Sequence, residues 1–123
     1  TIDKKKHTSL SLYIDDLNRI YNLNIINIGI VDHKIAIAQL HNSSALIYPS
    51  IIESFGIPLL EASNFNIPII ASELDYVRDL IEPTETFDPN SSLSMSRAVK
   101  RFMSVEKVKY SINPARSFLK KFS

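Results

Sequence analysis

Ala45-Leu46-Ile47-Tyr48, stopped by Pro49-Ser50, and Ile67-Pro68-Ile69-Ile70-Ala71 flank the stretch whose reading decides the fold. Apolar runs this short, bounded by proline and turn formers, suit strands buried on both faces. Pro49 ends the first run by removing a backbone donor, and Pro68 stands at the start of the second, where a strand tolerates proline. Between them Pro58 sits where a helix would begin. Leu59, Leu60, Ala62, Ser63 and Phe65 continue that helix to Asn64-Phe65-Asn66. Strand, helix, strand in this order is a βαβ unit, so the two strands should be parallel and covered on both faces.

The same alternation extends outward. Leu10, Tyr13, Ile14, Leu17, Ile20 and Tyr21 recur at three- and four-residue spacing, which predicts an amphipathic helix over 9–22 capped by Thr8 or Ser9. Asn22-Leu23-Asn24 breaks it, and Ile25, Ile26 and Ile28, ending at Gly29, read as a buried strand. A short helix follows from Lys34 to Leu40, closed by His41-Asn42-Ser43-Ser44. Downstream, 73–81 is expected to be helical, Thr86-Phe87 a short strand, and 91–103 a helix with Leu93, Val99 and Phe102 turned inward. Val105 to Phe122 reads as more helix, interrupted at Asn113-Pro114. Strands are thus expected near 25–28, 45–48, 67–71 and 86–87, in an α/β fold with a parallel sheet. Tyr13, Tyr21, Phe102 and Phe118 fall at helical core positions, which disfavours stacking on bases.

Composition bounds the function. The 123 residues allow one domain at most, and 45% apolar with 22% charged is ordinary for a globular domain. A net charge of +1 offers no overall field for nucleic acid. With no cysteine, disulfides, thiolate metal sites and cysteine nucleophiles are excluded, which leaves the redox compartment open while leaning towards the cytosol. His7, His33 and His41 have no ligand spacing, and Asp15 and Asp16 diverge on a helix, so no metal site is read. Only Gly29 and Gly56 are present, too few for a phosphate-binding glycine-rich motif. No apolar run is long enough to cross a membrane. The chain opens at Thr1 with Lys4, Lys5 and Lys6 and no signal-like run, and it reads as a piece of something longer.

The even balance conceals two halves. Residues 1–88 carry six basic and twelve acidic residues, net −6, and residues 89–123 carry eight basic residues against Glu106, net +7. Arg97, Lys100, Arg101, Lys107, Lys109, Arg116, Lys120 and Lys121 make that tail a candidate contact for phosphate, anionic lipid or another domain, or simply a solvated helix surface.

Ligands of such sheets bind beyond the carboxyl ends of the strands, which selects the loops after Ile28, Tyr48 and Ala71. In the second of these, Glu53-Ser54-Phe55-Gly56-Ile57-Pro58-Leu59-Leu60-Glu61 places one carboxylate in the loop and another one turn into the helix. Gly56 permits close backbone approach, and the N–H groups at the helix start present the positive end of the dipole to an anion. Two carboxylates beside an anion site can accept hydrogen bonds from vicinal hydroxyls of a pyranose or a ribose. Glu in a first helical turn can also do no more than favour the dipole.

Tyr48-Pro49-Ser50, the Glu53 to Ala62 motif and Ile67-Pro68-Ile69-Ile70-Ala71-Ser72 together resemble the signature of the retaining glycosyltransferases of family 4, with the GT-B fold. Asn27-Ile28-Gly29-Ile30-Val31 is similar to the strand and loop upstream, and Phe87-Asp88-Pro89-Asn90 to the downstream turn, in register from about residue 8 to the end. The resemblance implies that 1–123 is a partial nucleotide-sugar-binding domain, Rossmann-like with helices on both faces, from the carboxyl-terminal half of a GT-B enzyme. It implies that Glu53 binds sugar hydroxyls near the reacting centre and Glu61 the ribose. It further implies that the backbone of Ser54, Phe55, Gly56, Ile57 and Leu59 holds sugar and pyrophosphate, and that Gly29, Ile30 and Val31 border the base.

The implied partners are a nucleotide diphosphate sugar as donor, a glycan or lipid-linked acceptor and an amino-terminal domain of the same enzyme. No cofactor, metal or nucleic acid is implied, and location is expected in the cytoplasm, at the inner membrane face if the basic tail engages lipid. The cationic partners of the pyrophosphate and the first strands are expected before residue 1, and the family continues past Lys120-Lys121-Phe122-Ser123. Such a piece alone should transfer no sugar. Asn66 stands where the family usually has glycine, and asparagine also tolerates a left-handed backbone. The alternative is a noncatalytic α/β binding module that keeps the fold without nucleotide binding.

Overall fold

The computed structural model describes residues 8–52 and 56–112. Among them the elements run α1 (Thr8–Tyr21), α2 (His33–His41), β1 (Leu46–Tyr48), α3 (Ile57–Asn64), β2 (Ile69–Ser72), α4 (Asp75–Leu80), β3 (Glu85–Phe87) and α5 (Ser92–Ile112). They fall in two compact units, Thr1–Gln39 and Leu40–Ser123.

The second unit holds a three-stranded sheet in the order β1-β2-β3. Both pairings are parallel, with Ile47 opposite Ile70 and Ala71 opposite Thr86. All four residues of β2 are buried, as a central strand covered on both faces requires. Because side chains alternate along a strand, Ile69 and Ala71 face one way and Ile70 the other. On the first side Tyr48, Leu59, Ala62, Val77 and Ile81 join them, which sets α3 and α4 there. Phe87, Ala98 and Phe102 gather with Ile70 on the second side, which α5 covers. The fold is therefore α/β and Rossmann-like, with helices on both faces of a parallel sheet.

Local chemistry closes each element. Asn66 adopts a left-handed φ of 56°, and its N–H and that of Ile67 donate to the carbonyls of Ser63 and Ala62 (3.1 and 2.9 Å), satisfying the last acceptors of α3. At the start of α5 the Ser91 hydroxyl accepts from the Ser94 N–H and the Ser94 hydroxyl accepts from the Asp88 N–H, so that helix caps itself.

Four expectations need correction. The inward residues of α5 are Met95, Ala98, Val99 and Phe102, spaced by three and four, whereas Leu93 is 57% exposed. At about 100° per residue, Leu93 lies opposite the stripe centred on Ala98 and Val99. The helix also runs unbroken past Ser104 as far as Ile112, while Asn113-Pro114 and Phe118 lie outside the described residues.

In the first unit, Ile25 to Ile28 form no strand. The Asn18 side chain occupies both backbone groups of Ile25: its amide donates to the Ile25 carbonyl and its carbonyl accepts the Ile25 N–H, each at 2.8 Å. A side-chain amide here replaces a ladder partner. Asn27 Oδ1 then accepts the Gly29 N–H (2.9 Å) in a tight turn, and Ile26 is 69% exposed.

Tyr13 and Tyr21 are likewise exposed rather than core, because the half-buried stripe of α1 runs through Ser11, Ile14, Leu17 and Asn18. Among its described residues the first unit has no fully buried side chain. Among the described residues, no helix is long and apolar enough to cross a membrane.

Candidate functional site

Because the three strands are parallel, their carboxyl ends, at Tyr48, Ser72 and Phe87, lie along one edge of the sheet. The loop after β1 begins there and returns at Gly56. Glu53, Ser54 and Phe55, which carry the first half of the two-glutamate motif, lie outside the described residues. The two sides of that gap are placed. Pro49 to Ile52 follow β1, and the Ser50 carbonyl accepts a hydrogen bond from the Tyr76 hydroxyl at 2.7 Å.

Gly56 is the N-cap of α3, with φ 59° and ψ 36°, and no side chain caps the helix. A Cβ there would meet Leu80 Cδ1 at 2.5 Å and Leu59 Cδ1 at 3.5 Å. The left-handed φ favours glycine, and the close approach at this residue is to α4, inside the protein.

The first turn of α3 then limits what an anion could use. Pro58 has no N–H. The N–H groups of Leu59 and Leu60 both donate to the Gly56 carbonyl, at 3.0 and 3.2 Å. Leu59 itself is fully buried in the core. Among the described residues, the N–H groups of Gly56 and Ile57 at the positive end of the helix meet no backbone acceptor, and the Ile57 side chain is exposed. Glu61 lies one turn further along the same face as Ile57 and is half-buried. Gly29 (φ 71°), exposed Ile30 and half-buried Val31 belong to the first unit, and among the described residues no strand precedes them.

One feature of this edge escapes a reading by spacing. Glu73, the first residue after β2, takes both ends of the Arg78 guanidinium fork at 2.8 and 2.7 Å. Its own N–H donates to the Phe87 carbonyl at 2.8 Å, and the Thr86 hydroxyl reaches its carboxylate at 3.4 Å. The fork spans five residues from loop to helix, a separation with no periodic signature. The Arg78 hydrogen bonds hold the Glu73 carboxyl below its usual value of 4.5; desolvation opposes them, and the charge of Arg78 and the Thr86 hydroxyl assist. Arg78 is raised in turn, by the Glu73 hydrogen bond first.

A carboxyl depressed in the folded state contributes stability that is present above its unfolded pKa, near 4.5, and lost as pH falls through the folded value. Thermal melts between pH 7 and pH 3 should therefore show a smaller acid loss for Glu73→Gln than for the wild-type chain. Equal acid loss would mean that the exposed fork contributes nothing.

Compared with known families, residues 7–116 match the model described as "Glycosyl transferases group 1". The chain belongs to that family. No curated protein and no solved structure matches it significantly. The family carries a general sugar-transferase role, with a sugar donor and an acceptor. In this group 1 glycosyltransferase the matched span includes β1 to β3, α1 to α5 and Gly56, every element found among the described residues.

Proposed function

We propose that the chain is the donor-binding part of a retaining family 4 glycosyltransferase with the GT-B fold, which moves a sugar from a nucleotide diphosphate sugar to a glycan or lipid-linked acceptor. The observation that carries this reading is the start of α3 at the carboxyl edge of the parallel sheet, with the Ile57 N–H at its positive end and Glu61 one turn along the same face. An anion lying over Ile57 would set a nucleotide's ribose within reach of Glu61, whose carboxylate can accept from two vicinal hydroxyls. The Leu59 N–H, already donated to Gly56, supports the turn, so Gly56 and Ile57 carry the backbone share of pyrophosphate binding.

By the resemblance, Glu53 acts nearest the reacting sugar with Ser54 and Phe55, and Gly29 to Val31 border the base. The acceptor and a second, amino-terminal domain complete the enzyme. These 123 residues alone are then inactive, because transfer depends on holding donor and acceptor together. No cofactor or metal enters the scheme. The enzyme acts in the cytoplasm, and the basic tail brings it to an anionic membrane surface. Within that tail Arg101 is paired with Glu85 at 3.0 Å, which leaves the electrostatic contact to its other cations.

Glu61→Ala in the complete enzyme tests the reading. Loss of the ribose hydrogen bonds should cost about 1.5–3 kcal/mol, a donor dissociation constant raised roughly tenfold or more by calorimetric titration. Unchanged affinity with lowered thermal stability would assign Glu61 to the helix dipole instead.

A further inference from the structure

Both described ends of the loop between β1 and α3 rest on the same short helix. Tyr76 and Leu80 are four residues apart and share one face of α4. The Tyr76 hydroxyl donates to the Ser50 carbonyl at 2.7 Å, and Leu80 Cδ1 occupies the space a side chain at residue 56 would need. Helix α4 is itself firmly held. Val77 is fully buried against the sheet, and Arg78 forks onto Glu73, whose N–H is bonded to β3. The Tyr76 ring packs on the core, so its hydroxyl is fixed before it meets Ser50.

We infer that α4 is the positioning element of the donor site: Tyr76 sets Ser50, Leu80 sets Gly56, and together they aim the Ile57 N–H. This rests on the donor-binding reading above. Neither residue touches donor; each acts through the backbone it holds. The chemistry suits the task, since a hydroxyl on a half-buried ring packed against the core offers a donor at one point, and a branched apolar side chain lies close against the backbone of residue 56.

The test uses the whole 123-residue chain, labelled for NMR, with uridine, adenosine and guanosine diphosphates titrated separately as probes. Tyr76→Phe keeps the ring and removes the hydrogen bond. It should move the Ser50 carbonyl resonance and the amide resonances of Ile51, Gly56 and Ile57 while those of β3 and α5 stay in place. It should also raise the dissociation constant of the diphosphate that binds by about three- to tenfold, the range of one net hydrogen bond. Leu80→Ala should move Gly56 and Ile57 and leave Ser50.

A fluorinated tyrosine at 76, with its phenol pKa lowered towards neutrality, supplies a readout that mere packing would not move. Its phenolate cannot donate, so affinity should fall as pH rises through that pKa, beyond the step from the diphosphate's own terminal phosphate that the wild-type chain shows as well. Unmoved Gly56 and Ile57 resonances in both substitutions, or unchanged affinity in Tyr76→Phe, would overturn the positioning role. If none of the three diphosphates perturbs Ile57 or Glu61 in this chain or in the complete enzyme, the donor reading falls, and the resonances of the free chain still decide whether α4 places Ser50 and Gly56.

Discussion

Gly56→Ala should destabilise the chain by about 2–3 kcal/mol, measured as a lower urea midpoint at unchanged slope. Two costs add. The residue has φ 59°, a left-handed conformation that costs an L-residue about 1–2 kcal/mol. The new methyl would also sit 2.5 Å from Leu80 Cδ1, and overpacking typically costs about 1–3 kcal/mol. The second term should lie at its low end, because the atom in the way is the far end of a side chain that can rotate. A double-mutant cycle with Leu80→Ala separates the two: it should recover the overpacking part and leave the backbone part. Full recovery would show that the left-handed backbone carries no cost, and no recovery would show that Leu80 yields freely.

Ile70→Ala should cost more, about 2–5 kcal/mol, because it leaves a cavity in the middle of the sheet. Ile70 is 1% exposed and packs with Phe87, Ala98 and Phe102 beneath α5. Against a total stability of about 5–15 kcal/mol, such a loss unfolds a marginal chain. Ile47 is the internal control. It lies opposite Ile70 in register on the neighbouring strand, yet is 45% exposed at the sheet edge. Ile47→Ala should cost less than about 1 kcal/mol by the same denaturation. Equal losses at the two positions would mean that the edge of β1 is covered in solution.

The central βαβ unit was legible because its signals are local. Pro49 and Pro68 bound the two strands, Pro58 opens α3, and Asn66 closes it in the left-handed conformation that asparagine tolerates. The loop bearing the candidate site was legible for the same reason. In a parallel sheet a strand-to-helix turn falls at the carboxyl edge whatever surrounds it.

The readings that needed correction all turned on partners. Ile25-Ile26-Ile28 has the composition of a buried strand, but a strand exists only where a ladder partner meets it, and Asn18 takes the backbone of Ile25 first. Leu93 is as apolar as Phe102, and only the direction in which α5 lies on the sheet leaves it outside.

The amino-acid sequence by itself thus determined the α/β class, the parallel βαβ core and the position of the motif from Glu53 to Glu61, because proline, glycine and asparagine restrict the backbone wherever they stand. Only the tertiary structure decided that Leu80 lies against Gly56, that the Leu59 N–H is already engaged, that Glu73 is taken by Arg78 and that Tyr76 holds Ser50. Each of these joins atoms brought together by packing on a common sheet, at separations that carry no period a sequence could display.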